Sequence, residues 1–248
     1  MTDNEEIYRD ILDGLSVYFG TALVADLLHT TAQYPITALG NAFNRNQMRS
    51  KVWLADKLYD LTQGSPGTVF ILGGWYGVLG SILLNDSRFD CDQIVSVDID
   101  DSCKPVAETL NRRYVADRQF LAITANMLEF DFPVEKKSSR SAVIINTSCE
   151  HISDFDAWYR RLPGNALITL RSNNFYSCPE HINCVPDLGG VQTAGALARV
   201  SLRGRVGSQE IHPIHADRAQ VAVAERPASG RLLDTSIHKI SPIGNRLR

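Results

Sequence analysis

TVFILGGWYGVLGSILLNDSRFDCDQIVSVDID, residues Thr68 to Asp100, reads as a strand, a glycine-rich turn, a helix and a second strand that ends in acid. Val69, Phe70, Ile71 and Leu72 form a short apolar run of the kind buried on both faces of a parallel sheet. Gly73 and Gly74 follow at once, then Gly77 and Gly80. Glycine lets a backbone turn tightly and approach a ligand closely. Ile94 to Val97 is a second apolar run, closed by Asp98. An acid about 20 residues beyond such a turn is placed to accept hydrogen bonds from ribose hydroxyls. The first half of the chain is therefore expected to bind an adenosine-containing cofactor at the carboxyl edge of an open α/β sheet.

The turn itself narrows the cofactor. Gly73-Gly74-Trp75-Tyr76-Gly77 does not match G-x-G-x-x-G, and its two aromatics stand where a pyrophosphate needs close backbone contact. No Lys follows the glycines as a phosphate-binding loop requires. No Tyr has a Lys four residues later, which argues against a short-chain dehydrogenase. A ligand without phosphates, S-adenosylmethionine (SAM), fits better.

On these residues the chain resembles the class I SAM-dependent methyltransferases, over roughly Asn46 to Asn183. Phe70 to Gly77 looks like their first motif, and Val97-Asp98-Ile99-Asp100 like the second, whose acid holds the ribose. Ala122 to Met127 looks like the third, in which Asn126 would read the adenine amine and Met127 pack on the ring. Ala142 to Cys149 looks like the fourth, with Asn146 at the end of a fourth strand. The resemblance implies a doubly wound, mostly parallel Rossmann-like sheet. It implies cofactor contacts from Gly73, Gly74, Trp75, Tyr76, Gly77, Asp98, Ile99, Asn126, Met127 and Asn146. Helices before the first strand commonly lid the cofactor in this family, so Gln47, Ser50 or Lys51 is expected at its methionine end. Lys51 would pair with the carboxylate there.

At 248 residues the chain can bury one good core, or one domain with an appendage. A net charge of −3 gives no global signature for nucleic acid. The acidic start, MTDNEEIYRD, has no signal pattern, and no apolar stretch is long enough to span a bilayer, so a cytoplasmic protein is expected. Five cysteines without a Cys-x-x-Cys pair read as free thiols. Helical spacing marks residues 5–30 and 47–61; Pro35, Gly40 and several Asn mark 33–46 as loop. Strands are expected near 68–72, 93–98, 119–124, 141–146 and 165–170, with helices near 77–85, 102–115 and 154–161. This gives a helical lid over 1–62, a SAM-binding domain over 63–188 and an irregular segment over 189–248. All twenty aromatic residues lie at or before Tyr176; the Arg-, Ala-, Gly-, Ser- and Pro-rich remainder favours loops, with weak strand candidates at 197–202 and 220–224.

Two polar clusters follow adjacent expected strands: Asn146 to His151, and Arg171 to Cys184. Polar strand ends are where such folds put chemistry, so both are expected to face the transferred methyl. Methyl transfer needs a positioned nucleophile and sometimes a general base. Glu150 or His151 is the candidate base, Asn146 a polar orienting group, and Asn173, Asn174 and Tyr176 candidate acceptor contacts. The fourth motif is not Asp/Asn-Pro-Pro-Tyr/Phe and there is no Pro-Cys pair, so neither adenine-N6, cytosine-N4 nor cytosine-C5 methylation is favoured. The acceptor, a small molecule or a group on a larger partner, stays open. So do transfer of another SAM group, such as aminocarboxypropyl, and a non-catalytic SAM-binding subunit. Cys149, His151, Cys178, His181 and Cys184 also offer metal ligands, but their spacing matches no common zinc motif and no metal is assigned from it.

Overall fold

The computed structural model describes residues 3–19, 22–133, 140–164, 166–172, 179, 181–182, 184 and 220–225. The chain divides into two units, Met1–Phe130 and Asp131–Arg248.

The first unit is built on β1 (Thr68–Leu72), β2 (Gln93–Asp98) and β3 (Phe120–Thr124). They run parallel in the order β3-β2-β1, with Phe70 opposite Val95 and Ser96 opposite Ala122. Val69 to Leu72 and Ile94 to Val97 are buried without alternation, as strands covered on both faces require. The β1–β2 crossover is α5 (Val78–Asn85), whose residues Val78 to Leu83 are all buried. A helix apolar all round belongs inside. Its one glycine makes room for a ring: a Cβ at Gly80 would meet Phe120 Cε2 at 2.8 Å. The next crossover is α6 (Cys103–Leu110) followed by α7 (Arg112–Ala116).

Four helices precede β1: α1 (Asp3–Phe19), α2 (Ala22–Thr31), α3 (Ile36–Ala42) and α4 (Arg45–Thr62). The helical stretch expected over 5–30 is thus two helices. The loop expected over 33–46 is corrected to contain α3. Pro35 stands at its N-cap position, where a missing N–H costs nothing, and Gly40 is exposed, where it weakens a helix by only about 1 kcal/mol. Asn44 caps α4 by accepting from Gln47 N–H at 3.0 Å, and Leu54, Ala55 and Leu58 form its buried face. α2 packs on α5 and α6. Its Asp26 is 1% exposed, and Oδ1 accepts from Arg112 Nε at 3.0 Å and Arg113 Nε at 3.1 Å.

The second unit holds β4 (Val143–Asn146), α8 (Phe155–Arg161), β5 (Leu167–Ser172) and β6 (Gln220–Glu225). β4 pairs parallel with β5, as expected of neighbours, and β6 pairs antiparallel with β5. The strand candidate at 220–224 is β6; that at 197–202 lies outside the described residues. Asp154 caps α8 through Ala157 N–H at 2.9 Å. No described helix is long and apolar enough to cross a membrane. Among the described cysteines, Cys91, Cys103, Cys149 and Cys184 form no disulfide.

Candidate cofactor site and a second polar cluster

In the first unit the ends of the three strands are tied to one another. Gly74 N–H donates to Val97 O at 3.0 Å, and Ala125 N–H donates to Asp98 O at 2.9 Å. The turn after β1 alternates left-handed positions: Gly73 at φ 67°, Trp75 at φ 49° and Gly77 at φ 71°. A non-glycine residue at positive φ is uncommon. Here Trp75 N–H donates to Asp98 Oδ2 at 2.8 Å, and its ring stacks on Tyr76 with centroids 5.0 Å apart. Asp98 Oδ1 in turn accepts from Asp100 N–H at 3.1 Å. Two backbone donors therefore fix the Asp98 carboxylate at the end of β2, and each oxygen keeps a lone pair for a ligand hydroxyl. Ile99, next to it, is an apolar side chain 70% exposed.

Asn126 follows β3, and its Oδ1 accepts from Leu128 N–H at 3.0 Å, an oxygen with a second lone pair to offer. Met127 beside it is half-buried. Lys51, on α4, is half-buried and donates from Nζ to Gln47 Oε1 at 2.6 Å. Ser50 Oγ on the same helix is buried without a hydrogen-bond partner.

Two supporting residues were not singled out in the sequence. Ser96 is buried under Gly74, where a Cβ would collide with its Oγ. Asn111 is buried and donates from Nδ2 to Gly77 O at 3.3 Å and Ala107 O at 2.9 Å. Ser96 was detectable as the polar break in the apolar run of β2. Asn111 has no such signal, since it lies between two helices.

Cys103 opens α6 close to the same acids. Burial, then the charges of Asp98 and Asp100, push its thiol up to about 12 from an ordinary 9.0. Asp100 is held below the usual carboxylate range by its hydrogen bonds with Ser102. A thiol raised in the folded state stabilises fully below the unfolded value and loses that contribution as pH rises toward the folded one. The alkaline limb of stability is therefore expected to fall between pH about 9 and about 12, and less steeply in Cys103→Ser. Denaturant midpoints over that range check it; identical slopes for the two proteins contradict it. In the native protein near neutral pH, iodoacetamide is expected to label Cys103 at least ~100-fold more slowly than a free thiol, because the thiolate is the nucleophile.

The second unit carries its own polar cluster. At the end of β4, Asn146 is fully buried and its Oδ1 accepts from Ser148 N–H at 2.8 Å, turning the chain into a short 3-10 turn, Cys149–His151. Cys149 is buried and donates to Asn146 O at 3.7 Å, and burial first, then Glu150, pushes its thiol far above the ordinary range. Glu150 is buried and His151 exposed. The His151 ring stands edge-on to His181, centroids 4.8 Å apart at 82°. Asn173, Asn174, Tyr176 and Cys178 lie outside the described residues.

No protein-family model and no curated protein matches the chain. Solved structures do. Magnesium protoporphyrin IX methyltransferase from Synechocystis, with bound SAM, is 12% identical with a TM-score of 0.55, over 91% of this chain and 98% of that one. A putative SAM-dependent methyltransferase from Methanococcus maripaludis is 10% identical with a TM-score of 0.54, over 78% of this chain and 92% of that one. The methyltransferase domain of a bacterial Hen1 is 20% identical with a TM-score of 0.50, over 75% of this chain and 100% of that one. The chain has the α/β, mostly parallel Rossmann-like fold of the class I SAM-dependent methyltransferases. Those neighbours differ in what they methylate, as the porphyrin enzyme and a small-RNA methyltransferase illustrate.

Proposed function

We propose that this protein binds SAM and transfers its methyl group to an acceptor. The observation that carries the reading is the Asp98 carboxylate, fixed by Trp75 N–H and Asp100 N–H at the end of β2 beside a glycine turn. The donor set fits an adenosine without phosphates: an acid for two hydroxyls, the apolar Ile99 for a ring, and Trp75 and Tyr76 where a pyrophosphate would demand open backbone. When bound, SAM supplies an electrophilic methyl on a sulfonium.

Asp98 would hold the ribose, Ile99 and Met127 the faces of the adenine, and Asn126 its polar edge. Gly73, Gly74 and Gly77 would let the turn approach the ligand, and Lys51 would pair with the methionine carboxylate. Glu150 and His151 would handle the acceptor. Asn146 would act as a positioning residue, through the turn that presents them. Asn173, Asn174 and Tyr176 would contact the acceptor. The methyl-transfer reading is favoured over other SAM chemistry by its solved neighbours, which are methyltransferases.

The test is calorimetric titration of the full chain with S-adenosylhomocysteine, with NAD as control. A dissociation constant on the order of micromolar for the first alone is expected. Binding of neither, or of NAD alone, overturns the reading.

A further inference from the structure

We infer that Glu150, His151 and His181 form a binding site for a divalent first-row transition-metal cation. The site lies wholly in the second unit, and the inference stands independently of cofactor binding. One ligand atom from each residue, a carboxylate oxygen and two imidazole nitrogens, lies within 4.8 Å of the others. Around a zinc-sized ion, bonds of about 2.0–2.2 Å put tetrahedral donors about 3.4 Å apart. Rotation about side-chain torsions closes the remaining distance, because two of the three residues reach the surface.

The local fold explains why these three meet. The 3-10 turn after β4 places Glu150 and His151 side by side in sequence but on different sides of the turn, one buried and one exposed. His181, from the segment beyond β5, brings its ring against His151 at 4.8 Å. A carboxylate with two neutral imidazoles carries a charge of about −1, and mixed O and N donors suit zinc, cobalt or manganese better than calcium.

Of the described cysteines, neither Cys149 nor Cys184 belongs to the set. Cys149 is buried and its thiol donates to Asn146 O at 3.7 Å. Among the described residues the cluster contains no cysteine. Among the described residues the set has three ligands, graded from buried (Glu150) to half-buried (His181) to exposed (His151), so a further ligand can complete the shell of the ion. With both imidazoles coordinating, His151 is no longer a base. An acceptor hydroxyl on the ion would release its proton to water, because the metal lowers its pKa.

The experiment is titration of the chelator-treated full chain with Co²⁺, read by visible absorption, with Zn²⁺ as competitor. Saturation at one ion per chain is expected, displaced by Zn²⁺. His151→Ala, His181→Ala and Glu150→Gln are each expected to weaken binding at least ~10-fold. Cys184→Ser is expected to leave it unchanged. Absence of saturable binding, or a curve that neither His151→Ala nor His181→Ala moves, overturns the assignment. Should a variant lose its far-UV circular dichroism, X-ray absorption of the Co²⁺-loaded natural chain decides: two imidazoles in the shell support the site, fewer overturn it. S-adenosylhomocysteine titration of the metal-free chain reports on the cofactor separately, so failure of one reading is distinguishable from failure of the other.

Discussion

Asp98→Ala is expected to weaken S-adenosylhomocysteine binding by at least ~100-fold, since two hydrogen bonds to a charged acceptor contribute about 1.5–3 kcal/mol each. The carboxylate has a second task, which sets the control. It accepts from Trp75 N–H at 2.8 Å, and Trp75 sits at φ 49°. Removing the acceptor leaves a strained residue without its anchor, at a cost of about 1–2 kcal/mol in stability. Asp98→Asn keeps one acceptor oxygen and most of the turn, so an intermediate affinity with near-native stability is expected from it. Calorimetry gives the affinities and denaturant melts the stabilities. Unchanged affinity in the alanine variant removes Asp98 from the ribose.

Gly77→Val is expected to destabilise the protein by about 3–5 kcal/mol, from a left-handed backbone imposed on a β-branched residue and from overpacking. The carbons have nowhere to go. A Cβ there would lie 2.8 Å from Asn111 Nδ2, 3.0 Å from Phe120 Cζ and 3.1 Å from Ala107 Cβ, all in buried residues. Asn111 is also bonded to the Gly77 carbonyl, so pushing it aside breaks the tie between α6 and the turn. Gly164→Ala is the matched control, with nothing within 4 Å of its Cβ. It should change stability by no more than about 0.5 kcal/mol. Equal denaturation midpoints for Gly77→Val and Gly164→Ala would show that the turn is not packed this way.

The glycine turn and its acid were readable because local chemistry dictates them. Unbroken apolar runs mark strands buried on both faces, and glycine directly after such a run marks a tight turn. The pairing of Trp75 with Asp98 across 23 residues was readable only as a spacing. Helix α3 was missed because Pro35 and Gly40 read as breakers. Position reverses the first, which opens the helix, and exposure excuses the second. The second polar cluster was visible as residue types but not as a set. Which of Cys149, His151, Cys178, His181 and Cys184 converge depends on the 3-10 turn, and that turn withdraws Cys149 while presenting His151. Short turns of this kind rest on a few side-chain-to-backbone bonds, such as Asn146 to Ser148, that leave no periodic trace in a sequence.

The buried Asp26 has a consequence for the order in which the molecule assembles. Its partners, Arg112 and Arg113, lie 86 and 87 residues further along the chain. During synthesis α2 emerges first and must wait, its acid unmatched, until the whole β1–α5–β2–α6 stretch has left the ribosome. At about 5–20 residues per second, that delay is several seconds. An early helix, α2, is thus locked in place only after most of the first unit has been made.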